Sequence, residues 1–236
     1  IDGTVIWESH IPHGTEKDRF EIYSSMNETM ANLHSVDPFK VGLENFGKPG
    51  NYVARQVSRW TKQYRNSETE NISSMNNLID WLPENLPSEK PIRLVHGDFS
   101  LTNVIVNTEN NKIASILDWE LSTLGDPVAD FSYHCLQYFI NPILSDPQKC
   151  KDLNIPDLNK YVEMYIENSE FKISESEWNT YMAFSMFKLA AILQGITGRV
   201  RDGTAAGKDA DKLFPQTVML ADLGWTFCLL YKSDAA

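Results

Sequence analysis

Three polar side chains interrupt an apolar stretch near the middle of the sequence. The stretch reads LVHGDFSLTNVIV from residue 94 to residue 106 and contains His96, Asp98 and Asn103. Short apolar runs usually become buried strands, where a polar group is costly unless it is paired or used in chemistry. A second carboxylate, Asp118, follows the next apolar segment. Two carboxylates and an amide at strand–loop junctions suit Mg²⁺, which prefers oxygen ligands and shares its shell with phosphates.

The spacing of these residues narrows the chemistry. Phosphoryl transfer needs a base for the acceptor hydroxyl and metal ligands that neutralise charge on the transferred group. Asn103 follows Asp98 by five residues, the spacing found in the catalytic loop of protein kinases, where a second aspartate follows in the motif D-F-G. This sequence has H-G-D in place of H-R-D and D-W-E in place of D-F-G.

That pair of motifs resembles the aminoglycoside phosphotransferase and choline kinase superfamily. The segment GDPVADFSYH, which begins at residue 125, is similar to the corresponding segment of that family. LHSVDP, GKPGNYVARQVSRWTKQY and WLPENLP resemble one branch, the kinase-like domains fused to some acyl-CoA dehydrogenases. The resemblance extends over nearly the whole chain and implies an α+β, mostly helical fold, a protein-kinase-like C-terminal lobe in which a small β-hairpin carries the catalytic and metal loops.

The resemblance also implies roles for five residues. Asp98 would be the catalytic base, and Asn103 and Asp118 would be the ligands of Mg²⁺ in an ATP-dependent reaction. His96 is expected to pack and hydrogen-bond within the loop, and Asp130 is expected to brace the loop through backbone amides. The alternative for Asp130 is a plain helix-capping role, and for the site residues together it is a set of polar turns.

Helical periodicity surrounds this β-rich island. Apolar residues at helical spacing predict helices on both sides of it, at about 16–34, 49–66, 73–85, 127–140, 157–168, 175–199 and 212–231. Two of them begin with a capping box, Thr15 with Asp18 and Ser174 with Glu177. A polar loop is expected over 201–210.

The second predicted helix carries a basic face. Arg55, Arg59, Lys62 and Arg65 recur on the side opposite its apolar stripe. A solvated surface explains such a face in most proteins. In an acidic chain, however, four clustered cations also suit an anionic ligand or partner.

Composition limits the class of protein. The chain has 236 residues and a formal net charge of −11, which argues against nucleic-acid binding. Three cysteines without C-x-x-C spacing favour a reducing compartment, and we expect a cytoplasmic protein. No apolar run is expected to reach the ~18 residues of a membrane span, so a membrane partner is not expected. A small-molecule substrate and a nucleotide are the expected partners.

Parts of the related enzymes have no counterpart here. In the family, an N-terminal lobe with a glycine-rich loop and a phosphate-binding lysine precedes the region, and neither is found before residue 94. The opening IDGTVIWE resembles the text just after the hinge between lobes. We therefore expect residues 1–236 to form a C-terminal lobe that begins near the hinge, with the N-terminal lobe absent. Such a lobe would have weak or no activity alone and could self-associate through its exposed face.

The favoured hypothesis is a small-molecule kinase that transfers the γ-phosphoryl group of ATP to a hydroxyl. The acceptor would be a hydroxylated acyl group, carried on CoA, or an aminoglycoside-like cation. The alternative is a non-catalytic pseudokinase or assembly module. A metal hydrolase, suggested by the spacing of His96 and Asp98, lacks a second histidine motif such as H-x-H or H-E-x-x-H.

Overall fold

The computed structural model describes residues 1–203 and 210–234, which form two compact units. The first comprises Ile1–Gly50 and Lys90–Ile173, and the second Asn51–Glu89 and Ser174–Ala236. Most of the loop expected over 201–210 lies outside the described residues. The prediction that 1–236 forms one lobe stays a prediction.

The first unit contains a long helix, two small antiparallel sheets and four shorter helices. Its helices are α1 (Glu16–Ser35), α4 (Pro127–His134), α5 (Gln137–Ile140), α6 (Pro147–Leu153) and α7 (Leu158–Asn168), and its strands are β1 (Arg93–Val95), β2 (Val104–Val106), β3 (Ile113–Ile116) and β4 (Thr123–Gly125). The predicted hairpin is β2 with β3, and β1 pairs with β4. The mostly helical α+β fold with a small hairpin is therefore confirmed.

Local signals explain where the helices of this unit begin. Thr15 and Asp18 form the expected capping box at α1. Asp126 caps α4, and Pro127 occupies its first position, where no amide hydrogen is needed. The helix predicted over 127–140 is instead two, because the backbone tightens to i→i+3 hydrogen bonds around Cys135. The prediction missed α6, which Asp146 caps.

The second unit is helical throughout its described part. It consists of α2 (Tyr52–Ser67), α3 (Ser73–Trp81), α8 (Glu175–Arg201) and α9 (Ala210–Asp234). The predicted capping box at Ser174 and Glu177 begins α8. The helix expected over 73–85 ends as an α-helix at Trp81, and a short 3-10 helix over Leu82–Glu84 contains Pro83, which has no amide to continue the ladder.

One segment of α9 departs from the expectation about apolar runs. Leu213–Leu230 covers 18 residues with a mean hydropathy of 1.3, long and apolar enough to cross a membrane by length and composition. A core helix of a soluble protein can have the same length and composition, so this helix alone does not indicate a membrane span. Within the unit α9 packs along α8, and Leu220, Ala221 and Cys228 are buried.

Candidate active site

Strand pairing brings the two predicted loops to the same end of the sheets. The loop that contains Asp98 leaves β1 at Val95 and enters β2 at Val104, while the loop that contains Asp118 leaves β3 at Ile116 and enters β4 at Thr123. Val95 pairs with Thr123, and Val104 pairs with Ile116. Both loops are thus anchored at both ends by paired residues.

Asn103 connects the loop of Asp98 to the loop of Asp118. Its Nδ2 donates to the backbone oxygen of Asp98 at 2.8 Å and to the carboxylate Oδ2 at 3.2 Å. Its own backbone oxygen accepts from the amide of Leu117, the residue before Asp118, at 2.8 Å. Because Nδ2 is committed to Asp98, the amide presents Oδ1 as its remaining acceptor.

His96 makes a second connection between the loops. Its Nε2 donates to the backbone oxygen of Leu117 at 2.8 Å, and its Nδ1 accepts from the amide of Asp98 at 3.2 Å. The ring is fully buried and lies edge-on to Trp119. These partners are satisfied by a neutral imidazole with its proton on Nε2, so the structure gives His96 a positioning contact on each loop.

Asp130 hydrogen-bonds the backbone of the loop that follows β1. Its two carboxylate oxygens accept from the amides of His96 and Gly97, each at 2.8 Å, and His34 Nε2 lies 3.2 Å from Oδ2. Burial alone would raise the pKa of Asp130, but the hydrogen bond and charge of His34 and the two amides lower it below its usual value. The carboxylate therefore stays ionised in a buried site.

Gly97 allows the two loops to approach each other closely. Its φ is +86°, and a Cβ at this position would lie 2.8 Å from the backbone oxygen of Leu121. A side chain would thus meet both backbone strain and a clash with the second loop.

Two further histidines, which the sequence analysis did not assign, complete this network. His34 Nδ1 contacts the hydroxyl of Tyr165 at 2.6 Å. His134 Nδ1 donates to the backbone oxygen of Phe99, inside the loop, at 2.8 Å, and its Nε2 accepts from the hydroxyl of Tyr161 at 3.0 Å. Burial lowers the pKa of His134 to about 4. The available signal was position: His134 lies one helical turn after Asp130.

The residues predicted to do chemistry differ from these in exposure. Asp98 and Asp118 are exposed, and Asn103 is half-buried. Asp118 has a left-handed backbone, with φ of +59°. Burial and the negative charges of Asp98 and Asp130 raise the pKa of Tyr133, which the sequence analysis also did not select. These three residues, called the rim below, can thus offer the oxygen atoms of Asp98, Asn103 and Asp118 to a ligand that arrives from solvent.

The oxygen atoms at this rim fit a magnesium ion. Asp118 offers an exposed carboxylate, and the hydrogen bonds of Asn103 leave its Oδ1 to face a cation. Among residues 1–203 and 210–234, no group of three or more His, Cys, Asp or Glu side chains is arranged to hold a metal. A two-ligand set is nevertheless sufficient for Mg²⁺, which keeps waters and shares phosphate oxygens.

The structure thus gathers five of the predicted site residues in one unit: His96, Asp98, Asn103, Asp118 and Asp130. The four basic residues lie on α2 of the other unit, where Arg59, Lys62 and Arg65 are exposed and Arg55 is half-buried.

Comparison with known proteins identifies the family. Residues 1–148 match the phosphotransferase enzyme family. The chain belongs to this family. It is 41% identical to a protein of Ralstonia eutropha JMP134, provisionally described as an aminoglycoside phosphotransferase, whose solved structure superposes with a TM-score of 0.89 over 96% of this chain and 70% of that one.

A second relative shows the branch of the family, and a more distant solved structure shares the fold. This phosphotransferase is 44% identical over 231 residues to acyl-CoA dehydrogenase family member 10 of Mus musculus, which covers 95% of this chain and 21% of that protein. The chain thus spans about a fifth of the length of that relative. Spectinomycin phosphotransferase in complex with ADP and spectinomycin shares the fold, with a TM-score of 0.58 at 14% identity over 95% of this chain and 69% of that chain. The predicted family and its acyl-CoA dehydrogenase branch are confirmed.

Proposed function

We propose that this phosphotransferase transfers the γ-phosphoryl group of ATP, with Mg²⁺, to a hydroxyl of a small molecule. The observation that carries the proposal is the position of Asn103, which hydrogen-bonds the carboxylate of Asp98 and, through its backbone, the residue before Asp118. Asp98 as base and Asn103 and Asp118 as metal ligands would supply the groups that phosphoryl transfer to a hydroxyl requires.

Asp98 is the proposed base. Its carboxylate is exposed, so an acceptor hydroxyl can reach it, and the amide of Asn103 fixes its orientation from one side. An aligned carboxylate would accept a hydrogen bond from the acceptor hydroxyl and then its proton. Such general-base assistance typically contributes ~10²- to 10⁴-fold in rate.

Asn103 Oδ1 and the carboxylate of Asp118 are the proposed holders of the magnesium ion. The bound ion would neutralise charge on the transferred phosphoryl group. The protein's own part is to hold the two oxygens in place, and His96 contributes by bonding the backbone of Asp98 in one loop and that of Leu117, the residue before Asp118, in the other.

The acceptor proposed first is a hydroxylated acyl group carried on CoA. Its support is the identity of 44% with acyl-CoA dehydrogenase family member 10. An aminoglycoside-like cation is the second candidate, supported by the net charge of −11 and by the description of the Ralstonia protein. We also propose that the 236 residues alone turn over weakly and that a preceding lobe completes the nucleotide cleft.

Calorimetric titration of the full-length protein with ADP, with and without Mg²⁺, tests the metal assignment. Asp118→Gly removes the carboxylate and suits the left-handed backbone at this position. We expect it to abolish magnesium-dependent ADP binding without lowering the melting temperature.

Asn154→Gly is the matched control, because Asn154 also has a left-handed backbone, with φ of +55°, outside both loops. It should bind Mg–ADP as the parent does. Unchanged Mg–ADP binding by Asp118→Gly would refute the assignment. If the parent bound no Mg–ADP, the non-catalytic assembly module would replace the kinase proposal.

A further inference from the structure

A polar cavity lies between α2 and α8, within the helical unit. It measures about 660 Å³ and is lined by the C-terminal halves of both helices, including Arg59, Lys62 and Arg199. The chain enters α8 at Glu175, so Gly195 at the cavity lies about 30 Å along the helix from that entry. Its size is in the range of ~300–1,000 Å³ typical of small-molecule sites.

Positive charge dominates the walls of this cavity. Arg59, Lys62 and Arg199 face two carboxylates, Glu68 and Asp202. The charge of Glu68 is offset by Arg65, whose Nη1 lies 3.1 Å from its Oε2. The three cations that line the cavity then face one further carboxylate, Asp202, so an anion would find here a local excess of positive charge on a chain whose net charge is −11.

Helix dipoles explain only some of these cations. Arg199 lies in the last turn of α8, and Arg65 lies in the last turn of α2, where cations balance the negative end of a helix. That effect falls off within the last turn. Arg59 and Lys62 precede the last turn of α2, which ends at Ser67, and no ion pair is formed by either among the described residues. A ligand would account for them.

Hydrogen bonds join the two helices that form the walls of the cavity. Gly195 forms part of its wall, and a Cβ there would lie 3.4 Å from Gln63 Nε2 and 3.7 Å from Arg199 Nη1. Buried Gln194 donates from Nε2 to the backbone oxygen of Ser67 at 2.7 Å and to Thr69 Oγ1 at 2.9 Å, which ties the end of α2 to α8. The absent side chain at Gly195 keeps the space between the cations open.

We propose that this cavity binds the phosphate group of a small molecule, with Arg59, Lys62 and Arg199 as its ligands. The basic face predicted from the sequence comprised Arg55, Arg59, Lys62 and Arg65. Two of these, Arg59 and Lys62, line the cavity, together with Arg199 of α8, which is far away in sequence. Guanidinium and ammonium groups together match a phosphate, since arginine bonds it in a planar fork and lysine adds a point charge. The site does not depend on the proposed phosphoryl transfer.

Calorimetric titration of the 236-residue chain with inorganic pyrophosphate in EDTA tests this proposal without involving a metal. We expect saturable binding with Kd below about 1 mM at low salt. The double variant R59Q/K62Q should weaken it by about tenfold or more, since the loss of even one of the two charge-assisted bonds counts for about that factor. Both side chains are exposed, so folding should be retained, which a melting curve checks.

Arg55→Gln is the matched control, because it removes the same charge from the same helix at a residue that does not line the cavity. It should change Kd by less than about twofold. A larger change would mean that Arg55 itself contacts the pyrophosphate. Gly195→Leu, which places a bulky side chain beside Arg199 without changing charge, should weaken binding. Absence of saturable binding by the parent, equal weakening by Arg55→Gln, or unchanged binding by Gly195→Leu would each overturn the proposal.

Discussion

The loops that contain Asp98 and Asp118 differ in solvent exposure from the polar cluster that holds them. The rim residues Asp98 and Asp118 are exposed. The buried polar cluster, defined as His34, His96, Asp130 and His134, is at most 5% exposed at every member. Rim carboxylates can meet a substrate without first losing their water to the protein interior. The cluster residues are desolvated already, and each is kept by hydrogen bonds within the protein.

This difference separates two kinds of contribution. A buried polar group that loses its partner leaves an unsatisfied group behind, which costs stability. An exposed group that is removed leaves only water, so its loss changes chemistry and little else. Substitutions in the cluster should therefore lower the free energy of unfolding, and substitutions at the rim should lower activity with little loss of stability.

The largest effect is expected from Asp130→Ala. It would leave the buried amides of His96 and Gly97 unpaired and remove the carboxylate that contacts His34. Breaking a buried charged network of this kind costs about 3–5 kcal/mol. Urea unfolding of the parent and the variant gives the difference in the free energy of unfolding.

Asp146→Ala is the control for burial. Asp146 also accepts from two backbone amides, those of Gln148 and Lys149, but its side chain is 44% exposed. Loss of such a cap costs about 1 kcal/mol. Equal losses for Asp130→Ala and Asp146→Ala would remove burial as the reason for the difference.

A smaller effect should appear as a dependence of stability on pH. The pKa of His134 is lowered to about 4 in the folded protein, while an unfolded histidine titrates near ~6.5. The unfolded chain therefore binds a proton first on acidification, and the free energy of unfolding falls between about pH 6.5 and pH 4, by on the order of 3 kcal/mol. The pKa of Asp130 is lowered in the folded protein, so protonation of this carboxylate reduces the free energy of unfolding only below its ordinary pKa of 3.8.

His134→Asn tests that assignment, because an asparagine amide can still donate to the oxygen of Phe99 but does not titrate. The variant should lose stability at neutral pH through the missing bond from Tyr161, yet its free energy of unfolding should be nearly flat from pH 6.5 to pH 4. The same slope in parent and variant would place the acid sensitivity in another residue.

The sequence revealed the rim better than the cluster. Asp98, Asn103 and Asp118 could be selected together because a fixed spacing within apolar strands has few structural explanations, and their roles stay predictions. His34 and His134 were not, since a histidine on a helix gains meaning only when Tyr165 and Phe99 are brought beside it by folding. The pairing of β1 with β4 was missed for a similar reason: Val95 and Thr123 are far apart in sequence, and no local pattern joins them.

The phosphate cavity shows the same limit in the helical unit. Periodicity correctly placed Arg59 and Lys62 on one side of α2, away from buried Val53 and Val57. It could not join them to Arg199, because the packing of α2 against α8 is a tertiary contact. Periodicity predicted the longer helices but missed the short α6, and it did not give the break after α4, which depends on local tightening of the backbone.

Asp98→Asn tests the central claim, that the exposed rim residues do the chemistry while the buried polar cluster holds their loops in place. The amide is nearly isosteric, so the loop should keep its shape, but it cannot accept the proton of the hydroxyl. In the full-length enzyme we expect kcat to fall by ~10²-fold or more, with nucleotide affinity within a few-fold and an unchanged melting temperature. Single-turnover rate and melting temperature should be measured on one preparation. A lower melting temperature with an unchanged rate for the folded fraction would contradict the account.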